Sequence, residues 1–547
     1  MREQGGAALA LAALTLLGFF TIPGHTYLQS DTQIYMPLLE RLRDPSVFEN
    51  ELLIRGQHVS FTAYDEITLG LNKITGLDFP KVLALQQLVF RFCALAGVYL
   101  FVTALGLGSA AAVLVASCFG LGAWITGPSI ITFEYEPVPR ANAVGLTMLA
   151  IGLTAHAWYF RAGCAAALSF LYQVPAVYPF WAGYALLAML PGRRKMVRGL
   201  VAMAMGVALL LVLAKLQTGQ SEKQEFFTRI DDAQEKVMRE RASYNWVSMW
   251  QPRYYVHHAI MLAAALLALW RLRAKLAVDL RILVSALLAI GVASVPVSWV
   301  LLEGLKWNLI PQIQPARALL YVTAFAGILG AAAGIVAARE KRWWEAFAWF
   351  VVVYSLPSRS GPVQALLDWT NPTTRRIAMV VIGLGVAASL LVSLRGRAGG
   401  AALMAAAVMP YLAIPNLAGI RNYPDLHTPE IYDLAAWAKR ETPKDAVFLF
   451  PDAAKSLHPG IFRANALRAV YVDWKGGGQV NYLRKYMDAW LPRWQQAMAI
   501  GFDPKRASRE EYARLGIDFL AVEAKNRIAG WPVAYGNGKY LVYRLGD

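Results

Sequence analysis

The 547-residue chain is 57% hydrophobic and only 16% charged, a composition too apolar for a soluble protein of this length. Its formal net charge of +17 is a value that nucleic-acid-binding proteins also reach. Here, however, many lysines and arginines lie in short clusters between apolar runs, where such residues set the orientation of membrane loops. The composition therefore argues against a nucleic-acid partner and predicts a polytopic α-helical membrane protein.

The apolar runs predict about thirteen passes through the bilayer, since a spanning helix needs about 20 mainly apolar residues. Residues 1–23 resemble a signal peptide but lack a convincing cleavage site, so we expect an uncleaved first helix. The run at 164–190 is too short for two full spans and is broken at Gln173 to Pro175, which predicts two short helices that enter and return. The other predicted spans are 82–105, 110–127, 141–159, 199–214, 254–270, 282–302, 317–337, 345–357, 375–394 and 400–416.

Short basic clusters indicate how the chain is threaded, because Lys and Arg collect in short cytoplasmic loops. With the N-terminus in the cytoplasm, the clusters that fall inside are Arg161, 193–198, 271–275, 339–342 and 395–397. The same threading places the long loops 24–80 and 215–253 outside, together with everything after residue 419. Polar sequence is thus concentrated on one face of a bacterial cytoplasmic membrane, and function is expected on that face.

The last part of the chain changes in character. Thr428 and Pro429 are typical of a helix start, and "IYDLAAWAKR" has apolar residues on one face. Strand-like runs follow, including "VFLF", "RAVYVDW", "IDFLAVE", "WPVAY" and "KYLVYRL". We therefore expect a transmembrane domain over residues 1–419 and a periplasmic α/β domain over residues 420–547.

Asp31 lies about eight residues beyond the first apolar run, in "SDTQIYMPLLERL". Ser30 and Asp31 are typical of a helix start, and Asp31 as an N-cap is one interpretation. The other is that a carboxylate at the lipid–water boundary acts as a general base. It would accept a proton from a hydroxyl or amine of an acceptor molecule, and that acceptor would receive a group from a lipid donor. The sequence leaves both interpretations open.

A second candidate segment is the outer loop "FEYEPVPRAN", which contains Glu134, Glu136 and Arg140. Two carboxylates beside a guanidinium can hold a divalent cation such as Mg²⁺ or Mn²⁺, or can orient a substrate while the arginine binds its phosphate. The alternative is a solvated loop in which Arg140 pairs with Glu136.

Arg317 opens a predicted membrane helix from its outer end, in "QIQPARALLYV". Ionisable residues at the edge of a span are functional candidates, and arginine suits bidentate phosphate binding. The alternative is that Arg317 extends its guanidinium group to the lipid–water interface and binds no ligand.

Several classes of protein lack their usual sequence features. The chain contains no GxxxxGK[ST] loop, GxSxG elbow, HExxH motif or zinc-type Cys/His spacing. Charged residues within the predicted spans are scarce, which disfavours a proton- or ion-coupled transporter. The absence of these motifs disfavours ATP-driven transporters, hydrolases and metalloproteases as well.

The first span, the near-membrane Asp31, the acidic "FEYEPVPR" loop, the many spans and the outer α/β domain together resemble the GT-C superfamily of membrane glycosyltransferases. The segments "YDLAAWAKRETPKDAVFLFP" and "FRANALRAVYVDWK" also resemble the C-terminal region of bacterial GT-C-like proteins. The family often has adjacent acids in its first loop, whereas Asp31 is flanked by Ser30 and Thr32.

This resemblance implies transfer of a sugar from a polyprenyl-phosphate or polyprenyl-diphosphate carrier to a glycan, lipid or protein acceptor at the outer membrane face. It implies Asp31 as the general base, Glu134 and Glu136 as metal ligands or substrate-orienting groups, and Arg317 with Arg140 as donor-phosphate ligands. Two other functions stay open: a catalytically silent scaffold for envelope glycan assembly, and a flippase or polymerase for lipid-linked sugars.

Overall fold

Apolar helices make up most of the chain before residue 419. The computed structural model describes residues 2–54, 62–216, 227–357, 369–394, 396–422, 426–499 and 503–546. Parts of the predicted outer loops 24–80 and 215–253, and the side chains of the basic cluster 395–397, lie outside the described residues. The helices up to residue 419 are α1 Arg2–Phe20, α2 Thr32–Arg43, α3 Tyr64–Thr75, α4 Phe79–Thr103, α5 Ser109–Gly120, α6 Pro139–Ala155, α7 Tyr159–Tyr172, α8 Val174–Ala188, α9 Val197–Leu216, α10 Asp232–Arg241, α11 Pro252–Arg271, α12 Val278–Ser298, α13 Ile310–Ile313, α14 Leu319–Arg339, α15 Trp343–Ser355, α16 Pro372–Ser393 and α17 Gly396–Ala413.

Helix length and composition make the chain a multi-pass helical membrane protein. Within the described residues, the helical stretches long and apolar enough to cross a bilayer are Phe79–Thr103, Arg194–Leu216, Val278–Gly304, Ile310–Arg339, Pro372–Ser393 and Ala398–Ala418. Shorter apolar helices coincide with several other predicted spans. The total of thirteen passes stays a prediction.

The predicted helix break is confirmed. Helix α7 ends at Tyr172 and α8 begins at Val174, with Gln173 in an extended conformation (φ −164°, ψ 114°). Pro175 lies in the first turn of α8, where its missing N–H costs no helical hydrogen bond.

Helix α14 forms the centre of the bundle. Every residue of α14 except Arg339 is buried, as expected for a helix that is apolar on all sides. Helices α5, α11, α12, α15 and α16 pack around it. The N-terminal end of this central helix, next to Arg317, is therefore held rigidly by its neighbours.

Helices α4 and α6 approach each other closely enough to touch through their backbones. A Cβ atom on Gly152 would lie 2.2 Å from the carbonyl oxygen of Gly97, and one on Gly97 would lie 2.2 Å from the carbonyl oxygen of Met148. Small residues permit such contacts between membrane helices. This contact holds α6, whose first turn carries Arg140, against α4.

The predicted C-terminal α/β region is present as a five-stranded mixed sheet with strand order β4-β3-β5-β7-β6. Strands β4, β3 and β5 are parallel, whereas β7 is antiparallel to both β5 and β6. A separate short hairpin, β1–β2, lies in the loop before α6. The remaining elements are β1 Trp124–Ile125, β2 Ile130–Ile131, α18 Pro429–Glu441, β3 Val447–Leu449, α19 His458–Ala466, β4 Ala469–Val470, α20 Arg484–Ala499, α21 Arg509–Arg514, β5 Phe519–Glu523, β6 Val533–Gly536 and β7 Tyr540–Arg544.

The segment between α1 and α3 completes the core of this sheet region. Leu38 of α2 and the following residues Phe48 and Leu53 are buried in one apolar cluster with Leu449 of β3 and Trp490 of α20. The boundary at residue 419 stays a prediction, because residues on both sides of it share this core.

Candidate active site

Glu136 holds the start of α2. Its carboxylate accepts hydrogen bonds from the backbone N–H groups of Gln29 (3.0 Å), Ser30 (2.8 Å), Asp31 (3.0 Å) and Thr32 (3.4 Å), and from the Thr32 hydroxyl. Asp31 is the N-cap residue of α2 and Thr32 its first helical residue, so this carboxylate binds the backbone just before and at the start of the helix. Burial and the charge of Asp31 raise the pKa of Glu136, while the hydrogen bonds lower it. Glu136 therefore orders the backbone that carries Asp31.

The Asp31 carboxylate does not cap α2, so the interpretation of its side chain as an N-cap is wrong. Asp31 occupies the N-cap position, but its side chain forms no capping hydrogen bond. The N–H groups that such a cap would bind, those of Gln33 and Ile34, donate to backbone carbonyls instead. Its Oδ1 lies 2.6 Å from Lys475 Nζ, and its Oδ2 lies 3.7 Å from Arg140 Nη2. The side chain is 32% exposed, so the carboxylate is accessible to a ligand.

Arg140 pairs with Glu134 rather than with Glu136. The Arg140 Nε lies 2.7 Å from Glu134 Oε1, and both side chains are largely buried. The backbone carbonyl of Glu134 accepts hydrogen bonds from Gln87 and Arg91 of α4. The contact between α4 and α6 and this ion pair together fix the guanidinium of Arg140 beside Asp31.

Arg317 enters the same site from the bundle centre. It lies in a short 3₁₀ turn directly before α14, and its Cζ is 5.9 Å from the ring centroid of Tyr244. Its Nε is buried and forms no hydrogen bond within the described part of the chain. Its charge contributes to lowering the pKa of Asp31, which means that the two groups interact electrostatically.

Sequence reasoning missed Lys475. Its Nζ donates hydrogen bonds to Asp31 Oδ1 and to Ser30 Oγ (2.8 Å). Lys475 follows β4, and residues beyond the carboxyl ends of parallel strands commonly form ligand sites. The segment "DWKGGG" after a predicted strand was the available signal, but 444 residues separate Lys475 from Asp31 in the chain.

A buried ionic cluster positions the loop that carries Lys475. The fully buried Arg463 donates to Asp473 Oδ1 (2.8 Å) and lies 3.9 Å from Glu51 Oε1. Asp473 Oδ2 accepts the N–H of Gly476 (3.1 Å), which follows Lys475 directly. Glu51 belongs to the segment between α1 and α3, so the cluster also joins that segment to the sheet.

Arg241 of α10 packs on the other side of this loop. Its Cζ lies 3.5 Å from the ring centroid of Trp474, and its guanidinium donates to the Trp474 carbonyl. A Cβ atom on Gly477 would lie 2.4 Å from the Trp490 ring and 2.7 Å from Arg241 Nε. Only glycine therefore fits at position 477 without displacing these groups.

Three tyrosines line the site. Burial raises the pKa of Tyr35, Tyr244 and Tyr482, and all three interact electrostatically with Asp31. Their hydroxyl groups stay neutral at physiological pH and can donate hydrogen bonds. The Tyr482 hydroxyl also accepts a hydrogen bond from Gln314 Nε2 (3.0 Å).

The expected divalent cation does not fit the acids present. Glu136 is occupied by backbone N–H groups, and Glu134 is ion-paired with Arg140. No group of three or more His, Cys, Asp or Glu side chains in the described residues is arranged to hold a metal ion. We therefore derive no step through a metal.

The charge of the site favours an anion. Burial alone raises the pKa of Asp31, but Lys475, Arg140 and Arg317 together hold it well below its usual range. The carboxylate is therefore ionised near neutral pH and surrounded by three cations. The N-termini of α6 and α14, whose helix dipoles favour negative charge, lie beside Arg140 and Arg317.

Comparisons with known proteins add the following similarities. A family model described as a domain of unknown function, DUF6798, matches residues 429–497, which include Arg463, Asp473 and Lys475. No curated protein matches this chain. The structure of ArnT from Cupriavidus metallidurans in the apo state is similar over 100% of this chain and 99% of that chain, at 12% identity and a TM-score of 0.47. The arabinofuranosyltransferase AftD from Mycobacteria is similar over 100% of this chain and 42% of that chain, at 16% identity and a TM-score of 0.48.

Proposed function

We propose that the protein is a membrane glycosyltransferase that moves a sugar from a polyprenyl-linked phosphate carrier to an acceptor at the outer membrane face. The observation that carries this proposal is the ring of cations Arg140, Arg317 and Lys475 around the accessible carboxylate of Asp31. Glycosyl transfer from a phosphate requires positive groups that stabilise the negatively charged leaving group and a base that accepts the proton of the acceptor.

The proposed step is a single displacement with inversion. An acceptor hydroxyl attacks the anomeric carbon, the bond between that carbon and the phosphate oxygen breaks, and the phosphate leaves with the electron pair. Asp31 takes the hydroxyl proton, while Arg140, Arg317 and Lys475 stabilise the charge on the leaving phosphate. When the donor phosphate binds these cations, they lower the pKa of Asp31 less, and the carboxylate becomes a stronger base.

The proposal is tested by transfer assays on the full chain in lipid vesicles, with a panel of radiolabelled polyprenyl-linked sugars and envelope glycans or lipids as acceptors. We expect label to appear in an acceptor by a new covalent bond. Movement of the labelled lipid across the bilayer without bond formation would identify a flippase instead. A fold-intact protein with no turnover of any donor would favour the scaffold.

Lys475→Ala is expected to move the acid limb of the kcat/KM profile to higher pH. Lys475 lowers the pKa of Asp31 below its usual value of about 3.9, so its removal raises that pKa and protonates the base earlier as pH falls. The measurement is transfer rate against pH at low donor concentration. Lys455→Ala, which removes a lysine that contacts Trp474, is the control, and an unchanged acid limb in Lys475→Ala would contradict the assignment.

A further inference from the structure

Helix α10 is fixed to the end of the helical bundle at which Arg317 lies. One buried apolar cluster joins α10 and the turn after it to the residues that follow α12 and to α13, through Met238, Trp246, Leu302 and Ile310. Tyr244, which lies just beyond the end of α10, contacts Arg317 itself. The last residue of α10, Arg241, is therefore presented from a well-packed part of the bundle.

Arg241 holds the peptide group that leads into Lys475. Its guanidinium donates to the Trp474 carbonyl, which belongs to the same peptide group as the Lys475 N–H. The guanidinium also lies over two aromatic rings, with its Cζ 3.5 Å from the centroid of the Trp474 ring and 5.8 Å from that of Trp490. An arginine can make both contacts at once, because its guanidinium is planar and carries several donors in a fixed arrangement.

Contacts from the sheet region hold the same loop. Trp490 Nε1 donates to the Asp473 carbonyl (3.2 Å), and the Asp473 carboxylate accepts the N–H of Gly476. Three consecutive glycines follow Lys475, and glycine adopts more backbone conformations than any other residue. The loop therefore depends on contacts such as that of Arg241 to keep a single conformation.

Arg241 acts on Asp31 through Lys475 and not directly. Within the described residues, Arg241 forms no ion pair with Asp31, whereas Lys475 Nζ lies 2.6 Å from Asp31 Oδ1. Burial lowers the pKa of Arg241 to about 10, so its guanidinium stays charged near neutral pH. The titratable groups that act on Arg241 include Tyr244, Asp473, Tyr486 and Glu240. The charged and titratable groups that face Asp31 are Lys475, Arg140, Arg317, Glu136, Tyr35, Tyr244 and Tyr482.

We infer that Arg241 is a positioning residue for the transfer reaction, which keeps Lys475 against Asp31 by holding the peptide group before Lys475. Loss of the Arg241 side chain removes this donor from the Trp474 carbonyl and this cation from the Trp474 ring, so the loop moves and Lys475 withdraws from Asp31. The carboxylate then loses a stabilising cation and takes up a proton more readily. The inference rests on the proposed function for the reaction that Arg241 serves, but the positioning itself can be tested without turnover.

The test is the reaction of Asp31 with a water-soluble carbodiimide, followed by peptide mass spectrometry on the full chain in nanodiscs at mildly acidic pH. Carbodiimides react with the protonated carboxyl group, and at pH values above the pKa the protonated fraction rises about tenfold for each unit by which the pKa rises. We expect Arg241→Ala and Lys475→Ala each to raise the labelling rate of Asp31 about threefold or more. The double variant should react no faster than Lys475→Ala, because Arg241 acts through Lys475.

Arg484→Ala is the matched control. Arg484 joins the sheet region to the other end of α10 through an ion pair with Asp231, and both of these side chains are exposed. Its removal is expected to leave the labelling of Asp31 unchanged. If Arg241→Ala does not fold, Arg241→Met replaces it, because methionine keeps a long apolar side chain beside Trp474 but has no hydrogen-bond donor.

The inference is overturned by an unchanged labelling rate in a folded Arg241 or Lys475 variant, by a rise just as large in Arg484→Ala, or by a double variant that reacts faster than Lys475→Ala. Where transfer is observed, the acid limb of the kcat/KM profile of Arg241→Ala should lie at higher pH, as for Lys475→Ala. A protein that transfers no sugar contradicts the proposed function, whereas the labelling result still decides the positioning of Lys475.

Discussion

Replacement of Asp31 by asparagine is expected to lower the rate of sugar transfer by about 10²–10⁴-fold, the range for loss of a general base. Asparagine has the same shape but cannot accept the proton of the attacking hydroxyl. The measurement is single-turnover transfer from a saturating lipid-linked donor, so that weakened donor binding does not enter the rate.

The Asp31→Asn variant should fold normally, because the Asp31 side chain does not hold the start of α2. The Asp31 side chain forms no capping hydrogen bond, Glu136 binds the backbone N–H groups of residues 29–32, and Lys475 keeps its hydrogen bond to Ser30. Asp44→Asn is the matched control, because Asp44 is an exposed acid whose carboxylate bonds Ser46 at the other end of α2. Transfer by Asp31→Asn at close to the unmutated rate would exclude Asp31 as the base.

Replacement of Arg463 by alanine is expected to destabilise the five-stranded sheet region by about 3–5 kcal/mol, the cost of removing one partner from a buried ion pair. Arg463 is fully buried, and its loss leaves Asp473 and Glu51 without their shared cation. Displacement of Asp473 also releases the Gly476 N–H, so the loop with Lys475 moves and transfer falls. The measurement is the lowest thermal unfolding transition of the purified protein, together with its transfer rate.

Arg440→Ala is the control for Arg463→Ala. Arg440 is exposed and lies 4.0 Å from Glu441, so its removal should change stability by less than about 0.5 kcal/mol. An Arg463→Ala protein with an unchanged first transition and full activity would show that the cluster neither anchors the sheet to the segment between α1 and α3 nor positions Lys475.

Local features of the sequence were sufficient for much of the fold. Apolar runs, Pro175 and the strand-like runs after residue 440 predicted helices, a helix break and strands in the observed places. These features depend on residues within one or two turns of each other, so their physical cause lies entirely in the local sequence. The total number of passes and the side of the membrane depend on the lipid bilayer and stay predictions.

The sequence alone determined that this is a multi-pass helical protein, and it singled out Asp31, Glu134, Glu136, Arg140 and Arg317. Only the tertiary structure decided what their side chains contact. Local rules left Asp31 open as a helix cap or as a base, whereas in the folded chain a carboxylate from a residue 105 positions away binds the Asp31 backbone N–H and the Asp31 side chain faces Lys475. Charges interact through space and not along the chain, so a site assembled from four separate segments, around Asp31, Arg140, Arg317 and Lys475, could not be read from any one of them.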